Sequence, residues 1–307
     1  MTRVAAIDCG TNTVKLLIAD LDADSGREVE HVREMRMVRL GQDVDRTGRL
    51  GEAALQRVFG AVEEYAALIK EHDVESTRFC ATSAARDADN AEDFMAGVEQ
   101  RIGLRPEVVP GEEEARLSYD GATRTLRAGL APPYLVVDIG GGSTELILGQ
   151  EHAEVTGGQS LDIGSVRMTE RHLRGDPPTA EEIDAAVSDI DDALDSSDVD
   201  PGHAAAVIGV SGTVTTVAAM VLDLPRYDRT ILHHCVVRTG DVQSAAHALL
   251  AMSVDERRSL PFMHPGRADV IAAGALILDR LLRRTDVASM LVSEADILDG
   301  IAWSQVH

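Results

Sequence analysis

Asp8 and Asp138 each end an apolar strand and open a turn of small residues, and any chemistry in this chain starts from that pairing. Residues 4–18 read VAAIDCGTNTVKLLI and residues 134–148 read YLVVDIGGGSTELIL. Aligned without a gap at an offset of 130, Asp8 meets Asp138, Gly10 meets Gly140, Thr13 meets Ser143, and Leu16-Leu17-Ile18 meets Leu146-Ile147-Leu148. Small residues let a backbone approach an anion, and successive amides form a nest that holds phosphate. An adjacent Asp offers oxygen to a hard cation such as Mg²⁺. A tight hairpin needing positive φ would account for one copy alone. Two copies that keep polar as well as apolar residues point to a doubled phosphate loop facing one cleft.

Other side chains could complete such a site. Lys15 follows the first turn, and Glu145 takes the same place after the second. A carboxylate beside a phosphate loop needs a metal or water between, unless it faces outward. The run Glu112-Glu113-Glu114 follows Pro110-Gly111 and opens a helical pattern, where carboxylates complement the helix dipole. One of the three could instead act as general base, orienting water for attack on a terminal phosphate. Spacing alone leaves open which. Arg86, in TSAARDADN, is suited to a bidentate phosphate contact or to a local ion pair with Asp87 or Asp89. Ser211-Gly212 stands at a strand-to-helix junction, suited to a further anion contact or to a Gly-permitted turn. His233-His234-Cys235 is set aside as a zinc site, because adjacent His residues on a strand point to opposite faces. Cys9 reads as a small buried thiol.

The elements that must position these groups alternate between strand and helix. After the first hairpin a strand is expected over residues 28–40. An amphipathic helix follows over 52–71, with Leu55, Val58, Phe59, Val62, Tyr65, Ala66 and Ile69 at helical spacing. Short strands are expected at 77–81 and 107–110. Residues 127–133, with Gly129, Pro132 and Pro133, suit a junction between domains. In the second half, Thr179 to Glu182 reads as a capping box opening a helix. Residues 204–220 read as strand, Gly turn and helix, and 268–284 and 294–305 as helices. The expectation is an α/β protein with a mixed sheet in each of two domains, 1–128 and 129–307.

Composition narrows the class. A chain of 307 residues suits two cores better than one. A net charge of −23 argues against general nucleic-acid binding. It also requires local positive charge wherever an anion is to bind. No run of eighteen apolar residues suggests a membrane span, and a strand near the N-terminus leaves no evident signal peptide. Three cysteines do not make a disulfide framework, so a cytoplasmic location is expected.

DCGTNTVKLLI, ATSAARDADN, GEEEARL, VVDIGGGSTELILG, GVSGTVTTVA, RADVIAAGALIL and SEADILDGI occur along the whole chain in the order seen in the exopolyphosphatase/guanosine pentaphosphate phosphohydrolase (Ppx/GppA) family, which they resemble. Thr11 and Thr13 stand where family members commonly have Ser, so the hydroxyls are kept. The build is similar to that of the short, two-domain members, without the C-terminal helical region of longer ones. The resemblance implies two ribonuclease-H-like (actin-like ATPase) domains with the active site in the cleft between them. It also implies Mg²⁺-dependent release of terminal orthophosphate from inorganic polyphosphate, or of the 5′-terminal phosphate from guanosine pentaphosphate, with guanosine penta- or tetraphosphate as a possible ligand. Carried over by motif, Glu114 would be the catalytic base. Asp138 and Glu145 would hold the metal or the attacking water, with Asp8 assisting. Thr11, Asn12, Gly141, Gly142 and Ser143 would hold phosphates and Arg86 would neutralise charge. Lys15, Ser211 and Gly212 join the phosphate contacts from the residue reading, and a homodimer is the family expectation. Aromatic residues make up only 3% of the chain, which favours polyphosphate over a nucleotide base. A sugar kinase or chaperone-like ATPase, or a phosphate sensor without turnover, would keep the loops but has less use for GEEEAR.

Overall fold

The structure, a computed structural model, describes residues 1–126, 130–151 and 154–306. They form two compact units, Met1–Gly121 with Ile297–His307, and Ala122–Asp296.

In the first unit, β1 (Thr2–Cys9), β2 (Thr13–Asp22) and β3 (Arg27–Met37) make an antiparallel meander. The strands β4 (Ser76–Ala81) and β5 (Glu107–Val108) add in parallel on the other side of β1, giving the order β3-β2-β1-β4-β5. The helix Glu52–Glu71 turns Leu55, Val58, Phe59, Val62 and Tyr65 into one core with Phe79, Phe94 and Val98. Period-3.6 apolar spacing produces that single buried stripe.

In the second unit, β6 (Tyr134–Ile139), β7 (Thr144–Gly149) and β8 (Val155–Leu161) repeat the meander. The strands β9 (Ala206–Val210) and β11 (Ser289–Val292) repeat the parallel additions, and β10 (Val236–Arg238) extends the edge antiparallel to β11. The order is β10-β11-β9-β6-β7-β8. Strand for strand, and direction for direction, β8-β7-β6-β9-β11 repeats β3-β2-β1-β4-β5. The fifteen-residue repeat in the sequence is therefore the visible part of a five-strand arrangement that occurs twice. All six residues of β6 are buried, as a central strand covered on both faces requires. The helix Ala180–Asp195 opens with the expected capping box: the Glu182 amide donates to Thr179 Oγ1, and the Thr179 amide donates to Glu182 Oε2. The helix Ile271–Leu282 is buried almost all round and forms the middle of this unit's core.

The domain limits differ from those expected. The helix Ile297–Trp303, assigned above to the second half, packs on the first sheet. Its Ile297, Leu298, Ile301, Ala302 and Trp303 share a core with Val4, Ala6, Leu17, Leu21 and Leu117. An apolar stripe shows that a helix must be buried but not against which sheet. At its polar side Arg33 makes a two-pronged ion pair with Asp299, at 2.5 and 3.2 Å, and Trp303 Nε1 donates to Glu28. The division between units falls at Gly121/Ala122, within the helix Gly111–Arg124, and residues 127–129 of the expected junction lie outside the described residues. Among the described residues no helix is long and apolar enough to cross a membrane.

Candidate active site

The two turns are built alike. Gly10 N–H donates to Thr13 O at 2.9 Å, and Gly140 N–H donates to Ser143 O at 3.0 Å. A second element then fixes the carbonyls of each turn. In the first unit, the amide of Gly41 donates to Thr11 O, and those of Val38 and Arg39 donate to Asn12 O. In the second, the amide of Ser165 donates to Gly140 O, and those of Val166 and Arg167 donate to Gly141 O. Arg167 Nε donates to Gly142 O at 2.6 Å. A peptide's N–H points opposite to its carbonyl, so pinning these carbonyls turns the following amides the other way. Those amides belong to Asn12 and Thr13 in one turn, and to Gly141, Gly142 and Ser143 in the other. Successive amides aimed to one side make a concavity of the kind that can hold an anion.

Two glycines make the close approach possible. A Cβ at Gly41 would overlap the Thr11 side chain, and a Cβ at Gly164 would overlap the backbone of Gly141 and Gly142. Thr11 is buried, its hydroxyl 2.8 Å from that of Ser83 just beyond β4. Ser143 is 2% exposed. Ser83, Gly41 and Gly164 were not evident from the sequence, because no local pattern marks a residue that serves a turn twenty or more positions away.

The residues flanking the turns differ in charge between the copies. Asp8 lies directly opposite Lys15 across β1 and β2, with Lys15 Nζ 3.5 Å from Asp8 Oδ2. Asp138 lies directly opposite Glu145 across β6 and β7, and these two carboxylates are 6% and 2% exposed. Residues facing each other across an antiparallel pair have Cβ atoms about 5 Å apart, where like charges repel. Ser160, opposite Glu145 on β8, donates its hydroxyl to Glu145 Oε1 at 2.8 Å. Glu145 is thus a buried group, and the outward-facing alternative falls away.

The structure also separates the three glutamates of the first helical turn. Glu112 is exposed, Glu113 bonds Arg116 and Arg78, and Glu114 is 7% exposed. Two arginines hold the Glu113 carboxyl below its usual range, Arg116 first. Arg86 Nη1 donates to Glu114 Oε2 at 2.8 Å and to Val109 O at 3.1 Å. The structure therefore gives Arg86 a more distant carboxylate partner, Glu114, beyond its near neighbours Asp87 and Asp89.

Ser211 takes a φ of 67°, unusual for a residue with a side chain, and lies at the start of the helix Ser211–Val221. Sparsely populated backbone of this kind gathers at functional sites. The Arg267 guanidinium lies against Gly212, where a Cβ would collide with it. His233 and His234 do not diverge as a strand would make them. They lie between a helical turn and β10, His234 has a φ of 64°, and their rings stack with centroids 3.8 Å apart.

The family model described as the Ppx/GppA phosphatase family matches residues 22–307. The chain belongs to the Ppx/GppA phosphatase family. It is 44% identical to Exopolyphosphatase 2 of Mycobacterium tuberculosis over 99% of this chain and 98% of that one. It is 34% identical to the guanosine-5′-triphosphate,3′-diphosphate pyrophosphatase of Photobacterium profundum, over 98% of this chain and 59% of that protein. Among solved structures, an exopolyphosphatase-like protein superposes with a TM-score of 0.96 at 46% identity, covering 99% of this chain and 97% of that one. The Aquifex aeolicus Ppx/GppA family member superposes with 0.83 at 32% identity, over 99% and 97%. The match takes in the second turn and the helix of Glu114, and begins after the first turn.

Proposed function

We propose that this protein is an exopolyphosphatase that releases terminal orthophosphate from inorganic polyphosphate by attack of a water activated by Glu114. The observation that carries the proposal is the end-to-end match, at 44% identity, to a protein named Exopolyphosphatase 2. The amide nests support it, since they suit a repeating phosphate chain that has no base or sugar to be read. In this reading the two turns hold phosphates through the amides of Asn12, Thr13, Gly141, Gly142 and Ser143. Lys15 supplies positive charge at the first turn, with Ser211 and Gly212 as a further contact. Glu114 accepts the proton of the attacking water, and its bond from Arg86 fixes where its carboxylate points.

The second turn suits Mg²⁺. Asp138 and Glu145 are two hard oxygen donors on one face of the sheet, and their repulsion would be relieved by a cation between them. Asp8 has Lys15 in the corresponding place, so the two copies divide the work: a fixed side-chain cation in one, a bound metal in the other. Mg²⁺ held there would offset the charge on the transferred phosphate.

Orthophosphate release from long polyphosphate, tripolyphosphate and guanosine pentaphosphate, measured against Mg²⁺ concentration, tests the proposal. Release from polyphosphate that falls about 10²–10⁴-fold in Glu114→Gln, with tripolyphosphate still bound, is expected for the loss of a general base. Release from guanosine pentaphosphate alone would move the substrate assignment to the alarmone. Undiminished turnover in Glu114→Gln would remove the base assignment.

A further inference from the structure

The two turns are alike in their own backbone but are held by different means. In the first, the carbonyl of Asn12 accepts two backbone amides, from Val38 and Arg39. In the second, the equivalent carbonyl, Gly142 O, accepts from the side chain of Arg167 at 2.6 Å. Arg167 also gives its own amide to Gly141 O at 3.1 Å, so one residue holds two successive carbonyls of the turn. Its side chain is only 11% exposed, and its guanidinium is 3.9 Å from Asp162. Three residues earlier, Gly164 lies so close to the same turn that a Cβ would overlap the backbone of Gly141 and Gly142.

We propose that Arg167 is a positioning residue for phosphate binding, fixing the Gly142 peptide so that the amides of the second turn converge on the substrate. The inference rests on reading that turn as a phosphate cradle. The Gly142 carbonyl and the Ser143 amide share one peptide plane, so the carbonyl's direction sets the amide's. A charge-assisted bond holds that plane more firmly than a bond between neutral groups. The turn has glycine at 140, 141 and 142 and little intrinsic stiffness of its own. Direction must be imposed from outside, and Arg167 imposes it.

The test is equilibrium binding of tripolyphosphate, with Mg²⁺ present, to the Glu114→Gln protein with and without Arg167→Met. Loss of the partner that orients a metal ligand typically costs about 10–100-fold, and weakening of the same order is expected here. In the Glu114-intact protein, KM for polyphosphate and the inhibition constant of orthophosphate should rise together. Arg167→Lys should weaken binding as Met does, because lysine places a methylene where arginine carries Nε. Recovery in Arg167→Lys would mean that charge alone matters, and would overturn the positioning role. Unchanged tripolyphosphate affinity in Arg167→Met, with the thermal transition intact, would also overturn it. Gly164→Ala gives a second approach to the same peptides and should weaken binding with Arg167 in place. If the wild-type protein binds tripolyphosphate but never hydrolyses polyphosphate, the functional reading fails while the role of Arg167 is still decided by binding.

Discussion

Gly300→Ala should impair this protein through the helix that carries Glu114. Gly300 lies in the helix Ile297–Trp303, against the backbone of Leu117 in the helix that carries Glu114. A Cβ there would overlap Leu117 O and stand 2.7 Å from its carbonyl carbon and 3.1 Å from its Cα. Real Cβ atoms do not approach backbone so closely, so one helix must move, by roughly an ångström. Overpacking of this kind costs about 1–3 kcal/mol, and here no flexible side chain is available to absorb it. Glu114 lies one helical turn before Leu117 and would be carried along. If Glu114 is the base proposed above, a displacement of about 1 Å can cost on the order of 10²-fold in turnover. Urea unfolding of the first unit and orthophosphate release, measured on the same preparation, check both consequences. Wild-type stability together with wild-type kcat would refute the argument, since it would mean that this close contact does not set the position of the helix.

Arg33→Met should lower the stability of the first unit by about 3 kcal/mol, the scale for removing one partner of a buried ion pair. Asp299 is 5% exposed and would lose its two-pronged cation; a loss below about 1 kcal/mol in urea unfolding would place the pair with ordinary surface pairs. Glu294→Gln should change the pH dependence of stability in the second unit. Burial pushes the Glu294 carboxyl above its ordinary value of 4.5, against the opposing pull of Tyr227 and Arg229. A carboxyl raised in the fold contributes stability that is full below the ordinary value and is lost as pH rises through the raised one. The advantage of the glutamine variant over wild type should therefore grow from pH 4 to pH 8; a difference that stays flat across that range would contradict it.

How much of this was legible in the sequence depends on whether the signal was local. The doubled hairpins were, since strand period, turn residues and Asp placement all lie within fifteen residues. Their register then followed, with Lys15 and Glu145 at matching places opposite the two aspartates. The choice among Glu112, Glu113 and Glu114 was not legible from spacing, because it depends on how the helix is rotated against its neighbours. The family motif points to Glu114, and of the three it is Glu114 that the fold buries. Gly41, Gly164 and the bond from Arg167 leave no local signal, because they act on turns distant in sequence. The stacked histidines depart from the strand expected at 233–235 because His234 takes a left-handed backbone conformation. The last helix was assigned to the wrong half because amphipathicity does not name a partner.

The placement of that last helix has a consequence for how the chain is made. The core shared by Val4, Leu17 and Leu117 is closed by Ile297, Ile301 and Trp303, so its two sides emerge from the ribosome some 180 residues apart. At synthesis rates of about 5–20 residues per second, that face of the first sheet waits roughly 10–40 s for its cover. The second unit, a continuous stretch of chain, can complete itself in the meantime. The half begun first is thus finished last, and for that interval a nascent chain carries an uncovered apolar surface. Chaperone dependence and sensitivity to stalled translation should concentrate there rather than in the second unit.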